Sequence, residues 1–259
     1  MSRVLKCSTL VSVILTKVKK GLKKNTPFLA IISFNKSKYS ELLIDKCLEL
    51  DIHFKHYNLD NPNTKDVISL IDELNKDDEI TGILLVEPLP KNIDRYACYD
   101  AININKDIDG VNPINQYYLS INRPNIVNST VLAVIKILEF YNISLIGKNV
   151  TIIGRSYNIS RPLANYLINL NSTVTICHSK TRGLVNILKN SDIVVGATGV
   201  NNLFKSSDLK DGCVVIDIGL GEVLIDSDNI SYTPKTKGVG PLSIAFLLEN
   251  LVTSCKKLK

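Results

Sequence analysis

Residues 149–179 read NVTIIGRSYNISRPLANYLINLNSTVTICHS. The stretch opens on an apolar run, Val150 to Ile153, that stops at Gly154. Past Pro162, apolar residues return at helical spacing: Leu163, Tyr166, Leu167 and Leu170. That order predicts strand, tight turn and helix. A second β-branched run, Thr173 to Cys177, completes a stretch of about 30 residues, the length of one βαβ unit of a dinucleotide-binding fold. In such a unit a glycine lets the backbone turn sharply against a phosphate, and free N–H groups at the helix start hold the negative charge.

Of the G-x-G-x-x-G glycines only Gly154 is present; Ser156 stands at the second position and no glycine fills the third. A lone glycine between strand and helix also serves plain α/β packing, so the charge around it carries the reading. NAD-selective units end the second strand on Asp or Glu about 20 residues after the glycines, whereas NADP sites place a cation near the extra phosphate. Here the strand ends His178-Ser179-Lys180, and Arg155 lies inside the turn. The expected cofactor is therefore NADP.

At 259 residues the chain is longer than the usual single domain of about 100–150, which predicts two lobes. A hydrophobic content of 45% and a charged content of 22% are those of a soluble globular protein. The net charge of +6 suits acidic small partners, though scattered surface lysine also explains it. The basic residues form no patch interleaved with aromatics, so no nucleic-acid partner is expected. No apolar run approaches the roughly 20 residues of a membrane span. Six cysteines without a C-x-x-C pair read as reduced, buried thiols of a cytoplasmic protein, and nothing suggests a metal. The N-terminus lacks carboxylates before Glu41, as a transit peptide would, but Val11, Ile14, Leu15, Val18 and Leu22 make an amphipathic stripe, and a structural first helix is preferred.

The first half alternates. Helices are expected at 10–23, 39–50 and 65–75, and strands at 28–34, 53–57 and 82–86, an order that argues a parallel sheet covered on both sides. The strand at 82–86 exits through Glu87-Pro88-Leu89-Pro90, a plausible wall of a site, because ligands of open α/β sheets lie beyond the carboxyl ends of strands. Lys106-Asp107-Ile108-Asp109-Gly110 is a polar turn whose composition an Asx-type loop alone explains. After a helix at 130–141 and the βαβ unit come strands at 192–196 and 214–218. Each closes in a glycine-containing turn, Ala197-Thr198-Gly199 and Gly219-Leu220-Gly221, before Gly238-Val239-Gly240-Pro241 opens an apolar helix at 242–252.

Several of these pieces, in order and spacing, match one family. The sequence resembles the bifunctional methylenetetrahydrofolate dehydrogenase/methenyltetrahydrofolate cyclohydrolase family through Gly82-Ile-Leu with Pro88-Leu-Pro90, Lys106 to Gly110, Gly147-Lys, Ile153 to Ser156 with Arg161-Pro162, Thr173 to Ser179, Val214 to Gly219 and Gly238 to Pro241. The resemblance implies an α/β fold of two three-layer lobes with a cleft between them. Residues 1–120, completed by a C-terminal helix at 242–259, would bind the folate, and residues 121–241 would form a Rossmann-like NADP-binding domain. It implies tetrahydrofolate derivatives as substrates and a homodimer. Tyr39 resembles the tyrosine that lies against the aminobenzoyl ring, and Asp109 the aspartate that binds the pterin. Gly154, Arg155, Ser156, His178, Ser179 and Thr198 make up the NADP-facing set, while Gly238, Gly240 and Pro241 resemble the segment closing over the reacting rings.

The chain departs from the family where catalysis is concentrated. The family lysine, four residues after the tyrosine, is Leu43 here; the glutamine two residues before Pro-Leu-Pro is Val86; the Pro-Cys-Thr-Pro turn is Pro124 to Val127. Lys46 lies about 10 Å along the helix from Tyr39, too far to substitute. The expected activity is an NADP-dependent dehydrogenase with weak or lost cyclohydrolase. The alternative is a catalytically depleted folate- and NADP-binding homologue.

Overall fold

The structure, a computed structural model, describes residues 3–35 and 37–255. In chain order its elements are β1 (Arg3–Val4), α1 (Ser8–Leu22), β2 (Phe28–Ser33), α2 (Lys38–Glu49), β3 (His53–Asn58), α3 (Thr64–Lys76), β4 (Gly82–Leu85), α4 (Arg95–Ala101), α5 (Pro113–Ser120) and α6 (Ser129–Phe140). They continue with β5 (Asn149–Ile153), α7 (Ser160–Asn169), β6 (Thr173–Cys177), α8 (Leu184–Leu188), β7 (Ile193–Gly196), β8 (Phe204–Lys205), β9 (Val214–Asp217), β10 (Val223–Leu224), β11 (Ser231–Tyr232) and α9 (Val239–Ser254). The expected continuation of the last helix to residue 259 lies partly outside the described residues. The chain divides into two compact units, one of residues 14–118, 124–129 and 244–259, the other of residues 1–13, 119–123 and 130–243. Among the described residues no helix is long and apolar enough to cross a membrane.

The first unit is built on a parallel sheet of order β3-β2-β4. Its central strand is buried along Leu29, Ala30, Ile31 and Ile32, as a strand covered on both faces must be, and so it reads as a continuous apolar run. Edge strand β3 carries exposed His53, Lys55 and His56 instead. Local chemistry marks the helix starts. Ser37 caps α2 by accepting from the Ser40 N–H, and Asn63 with Asp66 forms a reciprocal capping box on α3. Lys106 is buried, and its ammonium donates to the Leu74 and Asp77 carbonyls at the end of α3 (2.9 and 2.6 Å), which commits it to a structural role. The apolar face of α9, Ile244, Leu247, Leu248, Leu251 and Val252, closes a core with Leu29, Ile31, Leu43, Leu84, Val86 and Ile108.

The second unit holds a six-stranded sheet of order β1-β11-β9-β7-β5-β6, parallel throughout, with a small parallel pair, β10-β8, beside it. Strand β1 was not foreseen, because two residues are too few to show a period of two. Backbone bonds from Arg3 N to Ile230 O (3.2 Å) and from Leu5 N to Tyr232 O (2.8 Å) create it. The guanidinium of Arg3 lies 4.7 Å from the Tyr141 ring centre, and the Tyr141 hydroxyl donates to the Lys6 carbonyl (2.7 Å). All six cysteines are free and buried, and burial pushes the thiols of Cys7 and Cys98 up to about 11 and those of Cys47 and Cys213 to about 12.

Buried Asn250 ties α9 to the polar turn after α4 and to the segment that leads into α6. Its amide donates to the carbonyls of Ile108 and Val127, both at 2.9 Å. Asn250→Leu keeps the branched skeleton and removes both bonds, so it is expected to lower stability by about 1–3 kcal/mol in a urea titration.

Candidate functional site

In the second unit, three turns that the sequence singles out share one edge. Parallel pairing of β6, β5 and β7 puts their carboxyl ends side by side, and Gly154, Arg155 and Ser156 follow β5, His178 and Ser179 follow β6, and Thr198 follows β7. Gly154 has φ +133°, and a Cβ there would lie 2.6 Å from the Ala197 carbonyl oxygen. Glycine is therefore required for β5 and β7 to come this close. The Ser156 hydroxyl accepts from the Ser160 N–H (3.0 Å) and so supports the start of α7. Arg155 is exposed. Beyond β6 the turn binds itself: the His178 N–H donates to Thr181 Oγ1 (2.8 Å), and the Lys180 N–H donates to His178 Nδ1 (3.2 Å), leaving Ser179 exposed.

The turn after β7 carries a group that motif reading missed. Glu222 is fully buried, and its Oε1 accepts from the N–H groups of Thr198 (2.5 Å) and Gly199 (2.6 Å). Glu222 follows a glycine in what reads as a surface turn, and no local pattern announces its burial.

The segment Gly238 to Pro241, expected to precede a helix at 242–252, is already helical from Val239, so Gly240 and Pro241 lie in the first turn of α9, where proline is tolerated. Gly238 has a steric reason of its own, since a Cβ would lie 2.2 Å from the Pro234 carbonyl oxygen.

In the first unit, Tyr39 sits in the first turn of α2, after β2, and packs partly buried against the apolar core. Leu43 and Val86 are both buried in that same core, with Ile108. Lys46 pairs with Glu49 on its own helix and is not directed to replace a lysine at position 43.

The polar turn 106–112 divides its two aspartates between two tasks. Asp107 is fully buried and accepts from the Val111 and Asn112 N–H groups (3.1 and 2.8 Å) and the Asn115 amide (2.7 Å), which is the structural Asx-type role. Asp109 is partly exposed, its Oδ1 accepting from the Ser129 hydroxyl (2.9 Å) and N–H (3.4 Å), with the Asn128 side chain bonding the same carboxyl. Desolvation pushes the Asp109 carboxyl up to about 7, against the pull of Ser129, and the charge of Asp107 adds to the rise. Two further ionisable groups lie close by. Tyr99 on α4 donates to Glu87, which also receives the Leu89 N–H (2.9 Å) and pairs with Arg95 at 3.5 Å. Burial, then Glu87, pushes the Tyr99 hydroxyl well up, and Asp109 contributes to that field. Sequence reading missed this pair because the partners are 12 residues apart and α4 is short and polar. Among the described residues no group of three His, Cys, Asp or Glu side chains could hold a metal.

Comparison with known proteins accounts for both halves. Residues 5–109 match the catalytic domain of tetrahydrofolate dehydrogenase/cyclohydrolase, and residues 128–259 match its NAD(P)-binding domain. The chain belongs to this family. Bifunctional protein FolD of Campylobacter hominis is 37% identical over 89% of this chain and 87% of its own length, and that of Thermodesulfovibrio yellowstonii is 37% identical over 94% of each. The crystal structure of the bifunctional FolD dehydrogenase/cyclohydrolase from Campylobacter jejuni superposes with a TM-score of 0.91 at 33% identity, covering 99% of both chains. The Trypanosoma brucei dehydrogenase-cyclohydrolase, solved with NADP cofactor and an inhibitor, gives a TM-score of 0.91 at 26% identity over 99% of this chain and 98% of its own. Within this tetrahydrofolate dehydrogenase/cyclohydrolase frame, Leu43 and Val86 are apolar and buried in one cluster, while the turns beyond β5, β6 and β7 are polar.

Folding favours the protonated form of Asp109. Its contribution to stability is complete below the ordinary carboxylate range, near pH 4, and is lost as pH rises through about 7. Stability of the unaltered protein is therefore expected to fall between about pH 4 and 7 more steeply than that of Asp109→Asn, as read from urea midpoints; equal slopes would refute the assignment.

Proposed function

We propose that this chain is an NADP-dependent methylenetetrahydrofolate dehydrogenase whose cyclohydrolase step is weak or absent. The observation that carries the reading is the burial of Leu43 and Val86 together in an apolar cluster, beside an Asp109 that retains a titratable carboxyl. Opening a methenyl bridge requires a proton taken from water and another delivered to nitrogen, work for a positioned ionisable group worth roughly 10²–10⁴ in rate. Neither Leu43 nor Val86 can move a proton. Hydride transfer makes a different demand, because the folate nitrogen lone pair expels the hydride and the protein need only hold two rings in register.

The residues at the second unit's strand ends suit a phosphorylated dinucleotide. Gly154 brings bare backbone to the edge, Arg155 offers an exposed cation, and His178, Ser179 and Lys180 place no carboxylate where a 2′-phosphate would lie. The dinucleotide, when bound, supplies the hydride acceptor. Tyr39 provides an aromatic face for the aminobenzoyl ring, and Asp109 accepts hydrogen bonds from the pterin. The NADP bound by the T. brucei relative supports the choice of cofactor. Loss of the lysine and glutamine also favours a second reading, a protein that binds folate and NADP without turnover.

The test is spectroscopic, with methylenetetrahydrofolate and NADP as substrates. Methenyl formation by the unaltered protein is expected, with methenyl hydrolysis no faster than in buffer. Hydrolysis with saturation kinetics would refute the loss of cyclohydrolase, and binding of both ligands without turnover would establish the second reading. Asp109→Asn is expected to reduce dehydrogenase kcat/KM by roughly tenfold or more. Leu43→Lys combined with Val86→Gln is expected to raise hydrolysis by about 10²-fold, whereas Leu43→Lys alone buries a cation without a partner and lowers stability.

A further inference from the structure

Resting on the dehydrogenase reading, we propose that Glu222 is a positioning residue of the cofactor site: its carboxyl group holds the Ala197–Gly199 turn in the form that receives the nicotinamide half of the dinucleotide. The order β6-β5-β7-β9 assigns the halves. The pyrophosphate belongs over the turn after β5 and the adenosine ribose beside the end of β6, so the remaining half extends toward the ends of β7 and β9. The turn after β7 has no regular structure to hold it. Its Thr198 and Gly199 N–H groups both point to Glu222 Oε1, and the Thr198 hydroxyl bonds the same carboxyl.

The surroundings are shaped to this side chain. A Cβ on Gly219 would lie 1.9 Å from Glu222 Oε1, and one on Gly196 would lie 2.6 Å from Oε2, so the ends of β7 and β9 both yield room to the carboxyl. Asp217 presents it: buried at the end of β9, its Oδ2 accepts from the Gly221 and Glu222 N–H groups (2.7 and 3.1 Å). Further bonds, Asn202 N to Gly221 O (2.8 Å) and Leu203 N to Glu222 O (2.7 Å), fasten the next residues to the same turn. Glu222 Oε2 and Asp217 Oδ1 are buried without a hydrogen-bond partner. Such an arrangement is costly for stability alone and marks a group kept for another purpose. Burial pushes both carboxyls up, against the backbone N–H groups they accept from, and the charge of Asp217 raises Glu222 further. Oε1 accepts in either protonation state, and glutamine reproduces that acceptor in the same shape.

The test compares two ligands on the purified, full-length protein by titration calorimetry: NADP, and 2′,5′-ADP, which carries only the adenosine half. Glu222→Ala is expected to weaken NADP about tenfold or more while leaving 2′,5′-ADP within about twofold, and Glu222→Gln to bind both as the unaltered protein does. Glu222→Asp keeps the carboxyl group but withdraws it by one methylene, disturbs the fold less, and is expected to show the same selective loss. Unchanged NADP affinity in Glu222→Asp, or equal loss of both ligands, overturns the role of Glu222. An unaltered protein that binds neither ligand overturns the dinucleotide reading itself, and the role of Glu222 with it.

Discussion

Parallel pairing of β5 with β6 on one side and β7 on the other is the constraint on which the second unit depends. It delivers three carboxyl ends to one edge and then requires the backbone after β5 to pass within contact of Ala197, which only Gly154 permits. Three further glycines have steric reasons of their own. Gly196 and Gly219 make room for the Glu222 carboxyl, and Gly238 makes room for the Pro234 carbonyl. The absence of the second and third motif glycines is thereby explained without loss of the fold. The Ser156 hydroxyl supports the helix start, and the closest approach is to a neighbouring strand at Gly154 alone.

In the first unit the deciding contrast is between polar groups that are saturated and those that are not. Lys106, Asp107 and Asn250 are buried, and their hydrogen bonds go to backbone groups and, for Asp107, also to the Asn115 amide, so their chemistry is consumed by the fold. Asp109 is two residues from Asp107 and has a similar side chain, but Ser129 is its principal partner and its carboxyl titrates near neutrality. A residue held loosely enough to exchange partners at little cost is the one able to meet a ligand.

The strands β2, β4, β5, β7 and β9 were legible as apolar runs because burial on both faces leaves a compositional trace, and edge strand β6 was legible from its β-branched run alone. So was the alternation that makes the fold α/β. Strands β1, β8, β10 and β11 were not, because two-residue strands arise from partners distant in sequence and carry no period. Helices α4 and α5 were missed as well; ArgTyrAlaCysTyrAspAla and its successor are short and mixed in polarity. The candidate site was legible where the chemistry lies in consecutive residues, as at Gly154 to Ser156 and Lys106 to Gly110. It was not legible at Glu87 with Tyr99 or at Glu222 with Thr198, where the partners meet only through the topology.

Leu43 and Val86 are better understood as one change than as two. A lysine buried in the first unit's core needs a polar partner, because an isolated ammonium in an apolar cluster costs several kcal/mol or loses its proton. A glutamine there likewise needs hydrogen bonds for both ends of its amide. Replacing either alone strands the other, whereas replacing both yields a dry cluster continuous with Leu29, Ile31, Leu84 and Ile108. Stability therefore favours the double replacement once proton transfer at this place is no longer needed. Hydride transfer escapes that argument, since it depends on where rings are held rather than on a buried cation. Nothing in the packing of this core conflicts with keeping Tyr39, Asp109 and the polar strand ends beside a dry Leu43–Val86 cluster.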